Sequence, residues 1–380
     1  MNKPREKILL FVEYYLPGYK FGGPIQSVAN LAQLLSETYE VYIVTRDRDF
    51  GDLQPYDGIL TNEWIKCEYY QVIYLSPAHI SIAAIHGLIQ SQSFDYIYTN
   101  SLFSYFTRIL LFVTLWSRQK IIIAPRGELN EGAINLKAYK KKPYIYLMRF
   151  VLNGRIIWHA TDFEEIKSIK RIFFNSKIDP LQVRLAPDTP RLLSQRKSYY
   201  KETGRVRLVY VSRITPVKNL IFLLQLLKGV RQGSIEIYLY GPIADSSYWR
   251  QCKEFISELP INCQIVYKGA LPHDKVNEVM ALYDFMILPT LGENFGHTIF
   301  ESLSVGLPVI ISDKTPWRNL IAKNVGWDIP LKPSCWLDVL KICLDMDNQT
   351  YSQMSEQAKA LANDYVKSEK FEQSYLKLFS

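Results

Sequence analysis

The sequence predicts an α/β protein of two Rossmann-like domains, each a doubly wound parallel sheet, facing one another across a cleft. Three observations predict it. The chain has 380 residues, too many for one ordinary domain and enough for two. Short apolar runs alternate with helical patterns from end to end, as expected of parallel sheets covered by helices on both faces. The alternation halts between Pro180 and Lys201, where Pro187, Pro190 and several charges interrupt any periodicity, and then restarts on the same plan. The expected domains are 1–190 and 191–362, followed by a helical tail over 363–380. A ligand would sit near the carboxyl ends of the strands.

Each element has its own signal. Lys7–Val12 reads as a buried strand, and Ile25–Leu35 as a helix with Ile25, Val28, Leu31 and Leu35 on one face. Val41–Thr45, Tyr96–Tyr98, Ile121–Ala124 and Arg155–Ala160 continue the strand series. After the boundary come strand Arg207–Ser212, helix Asn219–Val230, and strands Ile235–Tyr240 and Gln264–Tyr267. Val276–Leu282 belongs to a helix. Strands Asp284–Leu288 and Val309–Ser312 flank a helix from Gly296 to Val305, and Gln353–Phe379 has helical composition.

Apolar residues make up 48% and charged residues 22%, which excludes a disordered, collagen-like or coiled-coil chain. The net charge of +8, spread over both halves, suits a negatively charged partner: a nucleotide, a phospholipid surface or a nucleic acid. None of the five cysteines is paired at C-x-x-C spacing, so the expected setting is a reducing one. The apolar run Ile8–Val12 stops at Glu13, short of a signal-peptide core, and Ile109–Trp116 is too short to span a bilayer. The expectation is a cytoplasmic protein, held to a membrane only from its surface.

Gly22 and Gly23, between the first strand and first helix, let the backbone approach a ligand closely, and Pro24 suits the first helical position. The helix they open would point its positive end at an anion. The bland alternative is a tight turn. The spacing is not G-x-G-x-x-G, which argues against a nicotinamide or flavin site. Arg213 and Lys218 follow the strand Arg207–Ser212 and could close on a diphosphate, offsetting the charge that grows as it departs. As an isolated pair they would read as solvated surface.

The stretch Gly292 to Val309 is the most informative. Glu293 precedes the helix and Glu301 lies inside it, placed to hold opposite ends of an extended nucleotide sugar. Asn294, Phe295 and Gly296 sit at a helix N-terminus suited to phosphate, and His297 lies four residues before Glu301 on the same face. As a bare pair, two glutamates eight apart mean little; the glycines, helix and following strand give them context.

Taken together, Glu293-x7-Glu301, the Arg213/Lys218 pair and the Gly22-Gly23 loop resemble glycosyltransferase family 4, retaining enzymes of the GT-B fold. The resemblance covers nearly the whole chain, with the motifs in the family's order. Ala124–Leu129, Trp158–Asp162 and Ser312–Trp317 resemble a bacterial surface-polysaccharide subgroup. The resemblance implies sugar transfer from a nucleotide-diphosphate donor, with retention and without a metal or other cofactor, to a glycan or lipid-linked acceptor. It implies catalytic roles for Glu293, Arg213 and Lys218: Glu293 on the donor sugar, the two cations on the diphosphate. It also implies Glu301 on the ribose, with Gly241 in the donor-binding set, and a C-terminal helix that crosses back onto the first domain. The family's usual N-domain histidine is absent, Arg126-Gly127-Glu128 standing in its place, and the interdomain Asn-Gly of many relatives is replaced by Pro187-Asp188-Thr189.

Other residues complete the expectation. Arg126, Glu128 and His159 follow strands and are candidate acceptor or donor contacts; a lone histidine there is more often structural. Asp47-x-Asp49 invites a metal reading, which the flanking Arg46 and Arg48 oppose. Lys137, Lys140, Lys141, Lys142, Arg149 and Arg155, interleaved with Tyr139, Tyr144, Tyr146, Leu147 and Phe150, read as a basic surface for an anionic membrane, or as a solvated helix face. Nucleic acid is not expected, since no binding module accompanies the charge. The rival functions are an epimerase or phosphorylase on the same fold, and an inactive nucleotide-sugar-binding protein.

Overall fold

The computed structural model describes residues 4–114, 120–130, 133–134, 138–151, 156–174, 182–191, 199–368 and 370–380. The chain divides into two compact units. The first comprises 1–189 with 370–380, and the second 190–369.

The first unit carries an eight-stranded sheet. Its strands are β1 (Lys7–Phe11), β2 (Glu40–Arg46), β3 (Trp64–Lys66), β4 (Gln71–Leu75), β5 (Tyr96–Asn100), β6 (Ile121–Ala124), β7 (Ile156–Ala160) and β8 (Val183–Leu185), in the order β3-β4-β2-β1-β5-β6-β7-β8. All neighbours are parallel except β3 and β4. The helices are α1 (Gly23–Leu35), α2 (Ile82–Gln90), α3 (Tyr105–Thr114), α4 (Ala138–Val151) and α5 (Phe163–Phe173). Central strands such as β6, Ile-Ile-Ile-Ala, are buried along their whole length, because helices cover both faces of a parallel sheet. β1 lies between β2 and β5, so the chain changes direction there, and Phe11 pairs with Val44 on one side and Thr99 on the other. That reversal opens a crevice at the carboxyl ends of these strands.

The second unit has a six-stranded, all-parallel sheet ordered β11-β10-β9-β12-β13-β14. Its strands are β9 (Arg205–Val211), β10 (Ser234–Tyr240), β11 (Cys263–Tyr267), β12 (Phe285–Leu288), β13 (Val309–Ser312) and β14 (Gly326–Ile329). The helices are α6 (Leu220–Leu227), α7 (Ser246–Ser257), α8 (Val276–Met280), α9 (His297–Val305), α10 (Pro333–Asp345) and α11 (Asn348–Ser368). α9 is buried on nearly every side, from Ile299 to Val305, and packs on α11. The chain then returns to the first unit as α12 (Phe371–Leu378). Tyr375 donates its hydroxyl to the Pro187 carbonyl at 3.1 Å, Arg184 donates to the Leu378 carbonyl at 2.9 Å, and Phe379 packs between Tyr39 and Tyr96. Among the described residues, no helix is long and apolar enough to cross a membrane.

Candidate functional site

In the second unit, loops from the carboxyl ends of β9, β10, β12 and β13 hold the motif residues. Pro216 starts a short turn after β9, and Asn219 ends it in the left-handed region at φ 57°. The β12 loop is tied to this turn: Leu291 donates its N–H to the Val217 carbonyl at 2.8 Å, and Thr290 its hydroxyl at 3.2 Å. Glu293 is held from the other side by its N–H to the Lys314 carbonyl, 3.1 Å. These ties bring Lys218 Nζ onto Glu293 Oε1 as a half-buried ion pair. Arg213 lies close enough for Glu293 to support its charge, while burial pulls its pKa down.

Gly241 shows why a glycine is required where β10 ends. It adopts φ 145°, and a Cβ there would lie 1.9 Å from the Ser212 carbonyl oxygen. Its role in the structure is to let the β10 loop pack against the Ser212–Arg213 backbone. Gly296, at φ 81°, is the N-cap of α9, and no side chain caps that end, which leaves a helix N-terminus suited to an anion. Phe295 packs on His297 and accepts the Trp317 indole N–H on its carbonyl at 2.7 Å.

Glu301 is buried, and burial pushes its carboxyl up to about 7 against the opposing charge of Arg191. His273 Nδ1 is 3.8 Å from Glu301 Oε1. Burial, with the nearby charges of Arg191 and His297, lowers His273 to about 4, so the ring is neutral. Sequence reasoning missed His273 and Arg191. The available signal for His273 was its place just beyond a strand, after Pro272; Arg191 lay in the stretch read as a linker.

In the first unit, Gly22 takes φ 77° before α1, whose first turn contains Pro24. The preceding loop is anchored by Asp49, which accepts the N–H groups of Tyr19 (2.8 Å), Lys20 (3.0 Å) and Phe50 (2.7 Å). Asp47 pairs with Arg48 at 2.8 Å. Both carboxylates of the Asp47-x-Asp49 motif are therefore engaged by protein donors.

Three candidate ligand contacts have their polar atoms engaged within the protein, and His159 follows the structural alternative. His159 is wholly buried in β7: Nε2 meets the Ala186 carbonyl and Nδ1 the Tyr98 hydroxyl, both at 2.8 Å. A carbonyl only accepts, so Nε2 carries the proton and Nδ1 accepts from Tyr98. Arg126 turns inward to Asp188, to Asn100 Oδ1 (2.8 Å) and to the Tyr98 hydroxyl (3.0 Å). Glu128 accepts from the Ser101 hydroxyl (2.6 Å) and the Leu102 N–H (2.7 Å). The polar atoms of these loops bind the protein itself.

The basic helix is α4. Tyr139, Tyr146 and Leu147 are exposed, as are Lys140 and Lys142, while Ile145 and Met148 face the core. Lys141 differs from expectation: its Nζ donates to the Ala133 carbonyl at 2.6 Å and lies 5.0 Å from the Phe103 ring centroid, against the protein. Arg149 donates to the Ile172 carbonyl. Lys137 and Arg155 lie outside the described residues.

With this geometry in view, the likeness to known proteins is specific. Residues 194–360 match the family model described as glycosyl transferases group 1. The second unit thus carries a group 1 glycosyl transferase domain, and the chain as a whole has the GT-B fold. A protein of 41.2 kDa from the cps region of Klebsiella pneumoniae, described as uncharacterized, is 20% identical over 300 residues, 77% of this chain and 80% of that one. Sucrose-phosphate synthase from Thermosynechococcus elongatus superimposes with a TM-score of 0.72 at 16% identity over 99% of both chains. HepE of Anabaena, solved in complex with UDP-glucose, superimposes with a TM-score of 0.69 at 14% identity, covering 98% of this chain and 99% of that one.

Proposed function

We propose that the protein is a retaining, metal-independent glycosyltransferase that moves a sugar from a nucleotide-diphosphate donor to a glycan or lipid-linked acceptor in bacterial surface-polysaccharide synthesis. The observation that carries the reading is the convergence of Arg213, Lys218 and Glu293 in one unit with the uncapped N-terminus of α9. Arg213, Lys218 and the α9 N–H groups hold the diphosphate, and their charge stabilises it as the glycosidic bond breaks. Glu293 orients the donor sugar and Glu301 accepts the ribose hydroxyls. The UDP-glucose bound by HepE supports a nucleotide sugar as donor, and the cps-region relative supports a polysaccharide setting.

The test is release of nucleoside diphosphate from UDP-, GDP-, ADP- and dTDP-sugars, in EDTA and in manganese. Slow cleavage of one donor, equal in both and lost in Lys218→Ala, supports the reading. A dependence on manganese removes the metal-free part. Conversion of the donor sugar without cleavage marks an epimerase, and binding without turnover with any acceptor marks an inactive binding protein.

The same proposal places the protein on an anionic membrane surface through α4. Its exposed face interleaves Lys140 and Lys142 with Tyr139, Tyr146 and Leu147, cations for headgroups and amphipathic rings for the interface. Each such cation contributes about 1 kcal/mol, so losing both costs about 2 kcal/mol, or roughly 30-fold in partitioning. Lys140→Ala with Lys142→Ala is expected to release the protein from phosphatidylserine vesicles at low salt. Indifference of the wild type to those vesicles contradicts the attachment.

A further inference from the structure

We propose that the first unit holds a binding site for a sugar ring bearing an anionic group, carboxylate or phosphate, formed by Arg46, Arg108 and Tyr105 beside the aromatic cluster Tyr14, Phe21 and Phe50. The proposal rests on the transferase reading for its meaning, since this sugar would be the acceptor's. The binding itself is measured independently of transfer.

The site lies outside the carboxyl ends of β1, β2 and β5, where the chain reverses direction in the sheet. Arg46 ends β2, Glu13 follows β1, and Tyr105 opens α3 after β5. The Arg46 and Arg108 guanidinium carbons lie 5.7 Å and 5.4 Å from the Tyr105 ring centroid, so the ring holds two cations together. Glu13 is the carboxylate beside Arg46. Glu13 Oε1 already accepts the Tyr105 N–H at 2.6 Å and lies 3.5 Å from an Arg46 terminal nitrogen.

The charges around this pair are committed elsewhere. Lys20 pairs with Asp52 at 2.6 Å, Arg48 with Asp47, and Asp49 is occupied by three backbone N–H groups. Among the described residues, Glu13 pairs with Arg46, and Arg108 forms no ion pair. The Nε of Arg46 is buried without a hydrogen-bond acceptor, and such a donor is costly to leave unmade. Arg108 is exposed, and its Nε donates to the Ser104 carbonyl at 3.4 Å. A guanidinium fork of this kind matches the paired oxygens of a carboxylate or phosphate.

The second half of the site is apolar. Tyr14 lies 4.9 Å from Phe21 and 5.6 Å from Phe50, and Phe21 lies 5.6 Å from Phe50, each ring half-buried. Burial, aided by Glu13, raises the Tyr14 hydroxyl pKa, so it remains a hydrogen-bond donor. A partly open aromatic floor with a few convergent polar groups is the usual form of a small-molecule site, and a pyranose offers one apolar face to such a floor.

The experiment is NMR titration of the full-length protein with methyl α-D-glucoside, methyl α-D-glucuronide, glucose 1-phosphate and inorganic phosphate. Each is repeated in the Arg213→Ala, Lys218→Ala double variant, which removes the second unit's cations. Both anionic sugars are expected to bind at least about tenfold better than the neutral sugar and than phosphate, in both backgrounds. The stronger of the two identifies an acidic or a phosphorylated sugar. Arg46→Gln and Arg108→Gln, folded by thermal denaturation, are expected to bring the anionic sugars down to the neutral one. Equal binding of neutral and anionic sugars overturns the proposal, as does a preference that survives both substitutions or disappears with Arg213 and Lys218. Inorganic phosphate binding as well as glucose 1-phosphate overturns the sugar half. Failure of nucleotide-sugar cleavage would sink the transferase reading without touching these titrations.

Discussion

Lys218 and Glu293 are paired across 75 residues of chain, cation on carboxylate, in the second unit. Without a donor the two proposed catalytic groups neutralise each other. On the proposed reading, donor binding would exchange this pairing for two others, the diphosphate on the amine and a sugar hydroxyl on the carboxylate. Lys218→Ala is therefore expected to lower the rate of donor cleavage by about 100-fold or more, since it removes charge stabilisation that grows in the transition state. Circular dichroism should show an intact fold. A near-normal rate in Lys218→Ala would remove the lysine from the mechanism.

The two glutamates should separate by ligand. Glu301→Ala removes the proposed acceptor for ribose hydroxyls and is expected to weaken calorimetric binding of the bare nucleoside diphosphate by ~2 kcal/mol, about 30-fold. Glu293→Ala should leave that affinity nearly unchanged while impairing cleavage. Equal losses in both variants would mean that their roles are wrongly divided.

Because burial holds Glu301 at about 7, ribose recognition should also depend on pH. If Glu301 holds the ribose as proposed, the hydroxyls donate to its ionised carboxylate, and affinity should fall as pH drops through about 7. Glu301→Gln cannot titrate. The ratio of wild-type to Glu301→Gln affinity is expected to fall between about pH 8 and about pH 6, a ratio in which the diphosphate's own titration cancels. A flat ratio contradicts the placement.

Buried His159 sets a pH window for stability. Burial lowers it to about 3, from an ordinary value of 6.5. Below 6.5 the unfolded chain binds a proton that the folded one refuses, so its contribution is present above that pH and is lost as pH falls toward 3. The loss is about 1.4 kcal/mol per pH unit. Urea denaturation at about pH 7.5 and about pH 5.5 should show a smaller pH dependence in His159→Gln than in wild type. Parallel slopes would contradict the buried neutral imidazole.

Asp49 offers a test of the glycine loop. Asp49→Ala orphans the N–H groups of Tyr19, Lys20 and Phe50 and is expected to cost ~1–3 kcal/mol in denaturation. Manganese should restore neither stability nor activity.

The sheets were legible because their strands are apolar along their length: Ile121–Ala124 and Val309–Ser312 fall at the residues expected. β3, β4, β8 and β14 escaped notice, although β4 (Gln71–Leu75) is apolar in all but its first residue. Trp64–Lys66 and Val183–Leu185 are three-residue edge strands, and Gly326–Ile329 carries Gly326 and Asp328. The tail read as one helical stretch is two helices, broken before Phe371. The site was legible where residues are close in sequence, as from Gly292 to Glu301. Arg126, Glu128 and His159 stayed open between ligand contact and structure because a strand's carboxyl end exposes some side chains and buries others, and only partners such as Asp188 for Arg126 and Tyr98 for His159 show where each turns. The Arg46, Tyr105 and Arg108 cluster depends on β1, β2 and β5 becoming neighbours, which no local pattern records.

The central claim is sugar transfer with retention, and the anomeric configuration of the first product tests it most directly. Proton NMR can follow the earliest sugar released from an α-linked donor, before mutarotation. The account predicts that the α anomer appears first, at equal rates in EDTA and in manganese. First appearance of the β anomer would contradict it.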